Sequence, residues 1–322
     1  MKPKILRTDA ELFIIEQYLD EIGQIAEVVT SGAYDEETLA GQAEDAEVIL
    51  TCYTNITARV IEGAAKLKGI VKYGVGVDNI DLDAASRNNI VVANCPEYGS
   101  DTVADHAFAL LIALARKIPL IDRTMRDQAW AWPAPELLGL DLAGKTIGLV
   151  GLGRIGRAMA RRAGGFSMRC IAYDPYLDEA ALASHGAQSV SLEELLGLAD
   201  FVSIHCVLTP QTRGLLGVAE MKKMKDTAYL IDVSRGAIVD EAALVRALDE
   251  GWIGGAGFDV FAGEPLAPGH PLRGRDNVIL TPHLAWYTRE AFARVERETR
   301  DRILEILQGK QPKYLKNTEL SG

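Results

Sequence analysis

The chain has 322 residues, 48% hydrophobic and 25% charged, which suits about two soluble globular domains and excludes a disordered or fibrous protein. A net charge of −11 argues against nucleic acid or an anionic membrane surface as partner, but leaves small anions open, since those need only a local cluster of donors. Cys52, Cys95, Cys170 and Cys206 lie far apart with no C-x-x-C, so neither a metal site of the zinc type nor a disulfide framework is indicated.

The opening residues, MKPKILRTDAELF, lack the apolar run and small-residue cleavage site of a signal peptide. The longest apolar stretch, Ala107–Ala115, is too short to span a bilayer, so the expected location is cytoplasmic. The first hundred residues alternate strand and helix patterns. Strands are predicted over Lys4–Arg7, Ile25–Thr30, Ala46–Cys52, Ile70–Tyr73 and Ile90–Ala93, with helices over Ala10–Ile22 and near Glu36–Ala43. Such alternation predicts a parallel sheet with helices on both faces. After Ile70–Tyr73, the stretch YGVGVDNID frees the backbone at Gly74 and Gly76. Open α/β sheets bind ligands at that edge, although a plain glycine turn accounts for the stretch equally well.

Asp101–Lys117 is a helix with apolar residues on nearly every side, which predicts burial all round, between domains or against a second subunit. The arm that follows, DQAWAWPAPELLGLDLAG, carries Trp130 and Trp132 and little core of its own, so a subunit interface is its expected home. Then comes TIGLVGLGRIGRAMARRAGGFSMRCIAYDPY, spanning Thr146–Tyr176. A strand, Thr146–Val150, turns through Gly151-Leu152-Gly153-Arg154-Ile155-Gly156 into a helix, and a second strand, Arg169–Tyr173, ends on Asp174. This is a G-x-G-x-x-G dinucleotide fingerprint in its full context. Gly151 permits the tight turn, Gly153 admits a pyrophosphate and Gly156 lets helix pack on strand, while Asp174 stands at about the 20-residue spacing of a ribose-binding acid.

Further strands are predicted over Asp200–His205, Thr227–Val233, Gly254–Val260 and Val278–Leu280, with helices over Glu241–Glu250 and Arg289–Gln308. The last helix sets Phe292, Val295, Ile303 and Ile306 opposite a charged face and is able to pack back on the first domain. Three stretches each end a strand: DVSRGAIVD with Arg235, GFDVFAGEP with Asp259 and Glu264, and TPHLAWYT with His283 and Trp286. Arg offers a planar fork for a carboxylate, His a proton for a developing alkoxide, and a neighbouring Glu would orient that His and favour its protonated form. These types suit hydride transfer to a 2-oxo acid. Taken singly each has a plainer reading: Arg235 as a strand-end cap, Glu264 as a solvated loop residue, His283 as a hydrogen-bonded core histidine.

Together the stretches resemble the D-2-hydroxyacid dehydrogenase family, which holds phosphoglycerate dehydrogenase, glyoxylate/hydroxypyruvate reductase and the C-terminal-binding-protein corepressors. YGVGVDNID, VADHAFALLIALAR, the glycine fingerprint, HCVLTPQT, DVSRGAIVD, DVFAGEP and TPHLAWYT carry the likeness in order over nearly the whole chain. The resemblance implies an α/β protein of two Rossmann-like domains. One is a flavodoxin-like substrate domain (residues 1–100 with 288–322). The other is an inserted doubly wound NAD-binding domain (residues 101–287) that carries the dimerisation helix and arm.

It also implies Arg235 as the substrate-binding catalytic arginine, His283 as acid/base and Glu264 as its partner. Val75 and Gly76 would offer amides to a substrate carboxylate, with Lys72 and Trp286 as further substrate contacts. Val103, Arg154, Ile155, Asp174, Cys206, Val207, Thr212, Val233 and Asp259 would line the NAD site together with the three fingerprint glycines. The expected partners are a small 2-oxo or 2-hydroxy acid and a second copy of the chain. Asp174, with no cation in Pro175-Tyr176-Leu177, predicts NAD rather than NADP. His106, His185, His205 and His270 read as structural, His106 bonding across the domain interface. Ser167 stands where the family has glycine, while Trp286 resembles the corepressor branch, which has arginine at the place of Lys72. The alternative reading is an NAD(H)-responsive, corepressor-like binding protein with vestigial catalysis; retention of Arg235, Glu264 and His283 favours the enzyme.

Overall fold

A computed structural model describes residues 2–10, 16–33 and 35–317. The chain forms two compact units, Met1–Gly99 with Thr288–Gly322, and Ser100–Tyr287.

The smaller unit runs β1 (Lys4–Arg7), α1 (Glu16–Ile25), β2 (Glu27–Thr30), α2 (Glu36–Ala43), β3 (Val48–Thr51), α3 (Ala58–Gly63), β4 (Gly69–Lys72), α4 (Leu82–Arg87) and β5 (Val91–Ala93). All its strand pairs are parallel, in the order β2-β1-β3-β4-β5, which is the flavodoxin-like order. Of the predicted helix Ala10–Ile22, positions 11–15 lie outside the described residues, and α1 continues to Ile25, which delays the start of β2. Every residue of β3 and β4 is buried, as expected of central parallel strands covered on both faces. Caps fix the helix starts: Asp35 accepts from the Thr38 amide at 2.9 Å and Asp81 from the Ala84 amide at 2.8 Å.

The larger unit begins with α5 (Ser100–Ala115) and α6 (Ile118–Gln128). It continues through β6 (Thr146–Val150), α7 (Arg154–Gly165), β7 (Arg169–Tyr173), α8 (Glu179–Ser184), β8 (Gln188–Ser189), α9 (Leu192–Leu198) and β9 (Phe201–Ile204). After α10 (Val218–Met221) come β10 (Tyr229–Asp232), α11 (Glu241–Asp249), β11 (Gly255–Phe258) and β12 (Val278–Leu280). Its sheet is also wholly parallel, ordered β12-β11-β10-β9-β6-β7-β8. The chain works outward from β6 to β8, returns to β9 and works outward again, so the order reverses between β6 and β9. Doubly wound sheets bind ligands at that reversal, outside the carboxyl ends of the strands.

Within the single chain, α5 leaves one stripe exposed, Asp101, Asp105 and Ala109, one residue per turn. Arg161 and Arg162 of α7 meet Asp101, and Arg162 also meets Asp105 at 2.6 Å. The opposite face, with Ala107, Leu110, Leu111 and Leu114, is core. Gly257 of β11 allows this close approach, since a Cβ there would lie 3.2 Å from Leu110 and 3.1 Å from Leu114. Truncating fully buried Leu111 to alanine would cost about 2–5 kcal/mol. Unlike α5, α6 buries none of its residues, and Trp130, Trp132 and Leu138 in the arm beyond it are 61%, 78% and 76% exposed. Ser167, where a glycine was expected, takes a left-handed φ of 57°. Among the described residues no helix is long and apolar enough to cross a membrane.

The last helix, α12 (Arg289–Leu307), belongs to the smaller unit. Thr288 caps it by accepting from the Ala291 amide at 3.1 Å. It lies directly on β4, where a Cβ on Gly69 would come within 2.7 Å of Ile306.

Candidate active site

The glycine turn of the larger unit is shaped by what each missing Cβ would strike. At Gly151, with φ of 96°, it would meet the Cys206 amide nitrogen at 2.8 Å; at Gly156 it would meet the Gly151 carbonyl at 2.2 Å. At Gly153 it would meet nothing within 4 Å. That glycine therefore keeps space clear in front of α7, whose first turn has no side-chain cap. Uncapped amides facing a cleared space fit the pyrophosphate of a dinucleotide. Asp174 holds the turn from the side, accepting from the Leu152 amide at 2.8 Å through one oxygen and from the Tyr176 amide at 3.0 Å through the other. Each carboxylate oxygen has two acceptor sites, which leaves capacity for ribose hydroxyls.

The neighbouring strand ends supply the rest of this edge. After β9, the Thr212 hydroxyl donates to the Val207 carbonyl at 2.6 Å, and Val207 stands exposed beside half-buried Cys206. Burial, with Asp232 and Asp174 nearby, pushes the Cys206 thiol up to about 12, so it remains a thiol and no nucleophile. After β10 come buried Val233 and, before it, fully buried Asp232, with one oxygen on the Ser234 amide and hydroxyl and the other unpartnered. Burial pushes the Asp232 carboxyl up to about 7; the Ser234 bonds and Arg235 oppose this, and Asp259 adds to it. Val103 and Ile155 are partly buried against the core below.

Asp259, after β11, is satisfied by Thr281 Oγ1 at 2.6 Å and by the Leu284 and Ala285 amides at 2.9 and 2.8 Å. Because the Thr281 proton goes to Asp259, His106 Nε2 donates to Thr281, at 2.9 Å. That bond lies inside the larger unit rather than across the domain interface where the sequence suggested it. It was invisible in sequence because its partners are 175 positions apart. The Asp259 carbonyl also accepts from the His283 amide at 2.7 Å, so one residue anchors the turn that carries the histidine.

His283 Nδ1 lies 2.8 Å from Glu264 Oε2, and Glu264 Oε1 accepts from the Phe261 amide at 2.9 Å. Burial alone would lift the Glu264 carboxyl. The His283 bond and charge, the Phe261 amide and Arg235 outweigh it and hold that carboxyl below its ordinary value. Glu264 thus brings His283 and Arg235 into one electrostatic neighbourhood. His283 has a left-handed φ of 56°, a strained conformation for a side-chain-bearing residue, of the kind that gathers at functional sites. Imidazole nitrogens lie on opposite edges, so engaging Nδ1 turns Nε2 away from the carboxylate. Trp286 is 6% exposed, its ring T-shaped against Tyr287 at 5.2 Å.

In the smaller unit, Gly74 has φ of 140° and starts the Gly74-Val75-Gly76 turn. Val75 is exposed and Gly76 half-exposed. Lys72 is buried, its ammonium on the Cys52 carbonyl and, at 2.7 Å, on Asn79 Oδ1. Asp9 was not foreseen. Its carboxylate gathers the Cys52, Tyr53 and Thr54 amides at 2.6, 2.8 and 3.0 Å and shapes the loop after β3.

The chain is similar to known proteins in sequence and in fold. The family model of the D-isomer specific 2-hydroxyacid dehydrogenase, NAD binding domain, matches residues 108–285. A glyoxylate reductase of Korarchaeum cryptofilum is 42% identical over 282 residues, 87% of this chain and 85% of its own. A D-3-phosphoglycerate dehydrogenase of Archaeoglobus fulgidus is 38% identical over 91% of this chain, which spans only 55% of that longer protein. The crystal structure of D-lactate dehydrogenase from Aquifex aeolicus, complexed with NAD and lactic acid, superposes with a TM-score of 0.86 at 29% identity, covering 95% of this chain and 96% of its own.

Proposed function

The chain belongs to the D-isomer specific 2-hydroxyacid dehydrogenase family and is an NAD-dependent oxidoreductase acting between D-2-hydroxy and 2-oxo acids; from that premise we propose how its own residues do the work. Residues 101–287 take the cofactor and residues 1–100 with 288–322 the substrate. A bound nicotinamide supplies the hydride for reduction and accepts it in oxidation. Arg235 grips the substrate carboxylate and polarises its carbonyl, while the Val75 and Gly76 amides also serve the carboxylate. His283, as imidazolium, gives its Nε2 proton to the oxygen on which negative charge grows; in oxidation the neutral ring takes that proton back. Glu264 keeps the ring oriented and its charge balanced through Nδ1. Trp286 lends an apolar wall, and Lys72 supports the loops around the Cys52 carbonyl and Asn79. The observation that carries this reading is the Glu264–His283 bond at 2.8 Å, with Arg235 acting on the same carboxylate.

The cofactor is NAD in preference to NADP. Asp174 repels a 2′-phosphate, and a like-charge pair of this kind, relaxed by solvent, is worth roughly 1–3 kcal/mol, or about 10- to 100-fold. The arm joins two copies of the chain in a homodimer, a reading supported by the exposure of its large apolar side chains Trp130, Trp132 and Leu138. The enzyme works in the cytoplasm. Trp286 resembles the corepressor branch, but the Glu264–His283 pair favours the enzyme over a vestigial binding protein. The test is NADH oxidation over 2-oxo acids of graded size and polarity, with NADPH in parallel. Turnover of at least one acid with the stated preference is expected; no oxidation with any of them removes the reading.

A further inference from the structure

We propose that Glu296, on α12, is a positioning residue that holds the Gly74-Val75-Gly76 loop, through the phenol of Tyr73, in the form that receives a 2-oxo acid carboxylate. This rests on the assignment of the Val75 and Gly76 amides to the substrate.

Tyr73 is the hinge between strand and loop. Its amide still donates to the Thr51 carbonyl at 2.8 Å, continuing the pairing of β4 with β3, and from Gly74 the chain turns away. The carbonyls of the next positions are all tied down. Cys52 Sγ donates to Tyr73 O at 3.1 Å, the Cys95 amide to Gly74 O at 2.9 Å and Asn94 Nδ2 to Val75 O at 2.6 Å. Among the described residues no acceptor is paired with the Val75 or Gly76 amide. A turn whose carbonyls are held and whose successive amides are left over is an anion cradle.

What holds the hinge comes from the far end of the chain. The buried Tyr73 phenol donates to Glu296 Oε1 at 2.5 Å, across 223 positions of sequence. Glu296 is itself 3% exposed. Two groups bear on it: Tyr73 from the end of β4 and Arg7 from the end of β1, with Asp9 acting in turn on Arg7. A buried carboxylate beside a guanidinium is a poor way to gain stability, because desolvation consumes the attraction. Its contact with Tyr73, the residue immediately before the Gly74-Val75-Gly76 loop, points to position rather than stability.

The contact is also sensitive to proton concentration. Burial pushes the Glu296 carboxyl up to about 7, against the pull of Tyr73 and Arg7. Ionised, it takes a charge-assisted bond from the phenol; protonated, it keeps only a weaker neutral one.

The experiment compares wild type, Glu296→Gln, Tyr73→Phe and the double variant. KM for the best 2-oxo acid is measured at saturating NADH from about pH 5.5 to about pH 8.5, on both sides of the Glu296 transition. Glutamine imitates the protonated acid, so the KM of Glu296→Gln should match wild type at the acid end and rise to about 10-fold above it at the alkaline end. The kcat should stay within about twofold. Tyr73→Phe should show the same alkaline rise, and the double variant no more than either. Taking the ratio to wild type cancels any pH dependence common to all four proteins, and NADH affinity should be unchanged in all. A ratio independent of pH, or a loss in kcat at unchanged KM, overturns the role of Glu296 while the assigned reaction stands. A wild type that binds NADH but reduces no 2-oxo acid overturns both. Should Glu296→Gln fail to fold, Tyr73→Phe decides, because it keeps the charge and removes only the bond.

Discussion

His283 and His270 both bond a glutamate in the larger unit, His283 to Glu264 at 2.8 Å and His270 to Glu241 at 2.5 Å. The two pairs have the same chemistry and similar burial. They differ in what each ring does with its other edge. His270 Nδ1 accepts from the Leu272 amide at 3.3 Å, so Nε2 carries the proton given to Glu241, and both nitrogens are spent on the loop. Glu241 also accepts from the Ala262 amide at 3.3 Å, fastening both ends of that loop to the start of α11. In the other pair Glu264 takes Nδ1 and directs Nε2 away, on a backbone held left-handed between the Asp259 and Thr281 carbonyls. A carboxylate beside a histidine therefore does not by itself announce catalysis; on the proposed mechanism, the engagement of Nδ1 by Glu264 sets His283 apart from His270.

The sharpest test of that contrast is rate. His283→Ala should lose on the order of 10²–10⁴-fold in kcat with NADH binding intact, whereas His270→Ala should stay within about threefold. Wild-type kcat in His283→Ala would erase the distinction. Next in size is the response to pH. On the proposed mechanism reduction needs the imidazolium and oxidation the neutral ring, so the two directions should show opposite limbs. Glu264→Gln removes a carboxylate that is ionised throughout the working range, destabilises the imidazolium and should move both limbs to lower pH, with a rate loss of about 10-fold at neutral pH. Glu241→Gln should leave both limbs in place. A shift in both variants would show that the pairs share one role.

The smallest effect is on stability, and there the order reverses. His270→Ala breaks a two-sided clasp and should cost about 1 kcal/mol, lowering Tm by roughly 2–4 °C. Replacing His283 by glycine should cost less, because glycine takes the left-handed φ of 56° without strain. Glu264 adds its own dependence: its lowered carboxyl stabilises the fold above the ordinary carboxylate range, and that contribution fades as pH falls through the folded value. Thermal melts of the two histidine variants from acid to neutral pH measure both.

Much of the scaffold was legible in the chain. Runs such as VILT and GIVK are buried strands, and Thr146–Val150, Arg169–Tyr173 and Val278–Leu280 fall where the apolar pattern put them. Several other strands are shorter than predicted; at β2 this is because α1 claims Ile25. The apolar run of α5 is legible as its core face; that its aspartates gain arginine partners from α7 is not. Likewise α12 shows its buried Phe292, Val295, Ile303 and Ile306 in the sequence, but not that Glu296 and Arg302 are buried among them.

Apolar alternation, cap residues and glycine spacing act over a few positions, so the sequence by itself determined the parallel α/β architecture, the phosphate turn ahead of α7 and the residue types at the strand ends. Hydrogen-bond partners are chosen only after distant segments have been brought together. The tertiary structure alone therefore decided that Glu264 reaches Nδ1 of His283, that Glu241 clasps His270, that His106 bonds Thr281 and that Glu296 reaches Tyr73. Partners separated by as many as 223 positions leave no local trace in the chain, because what unites them is the packing of elements that are individually indifferent to one another.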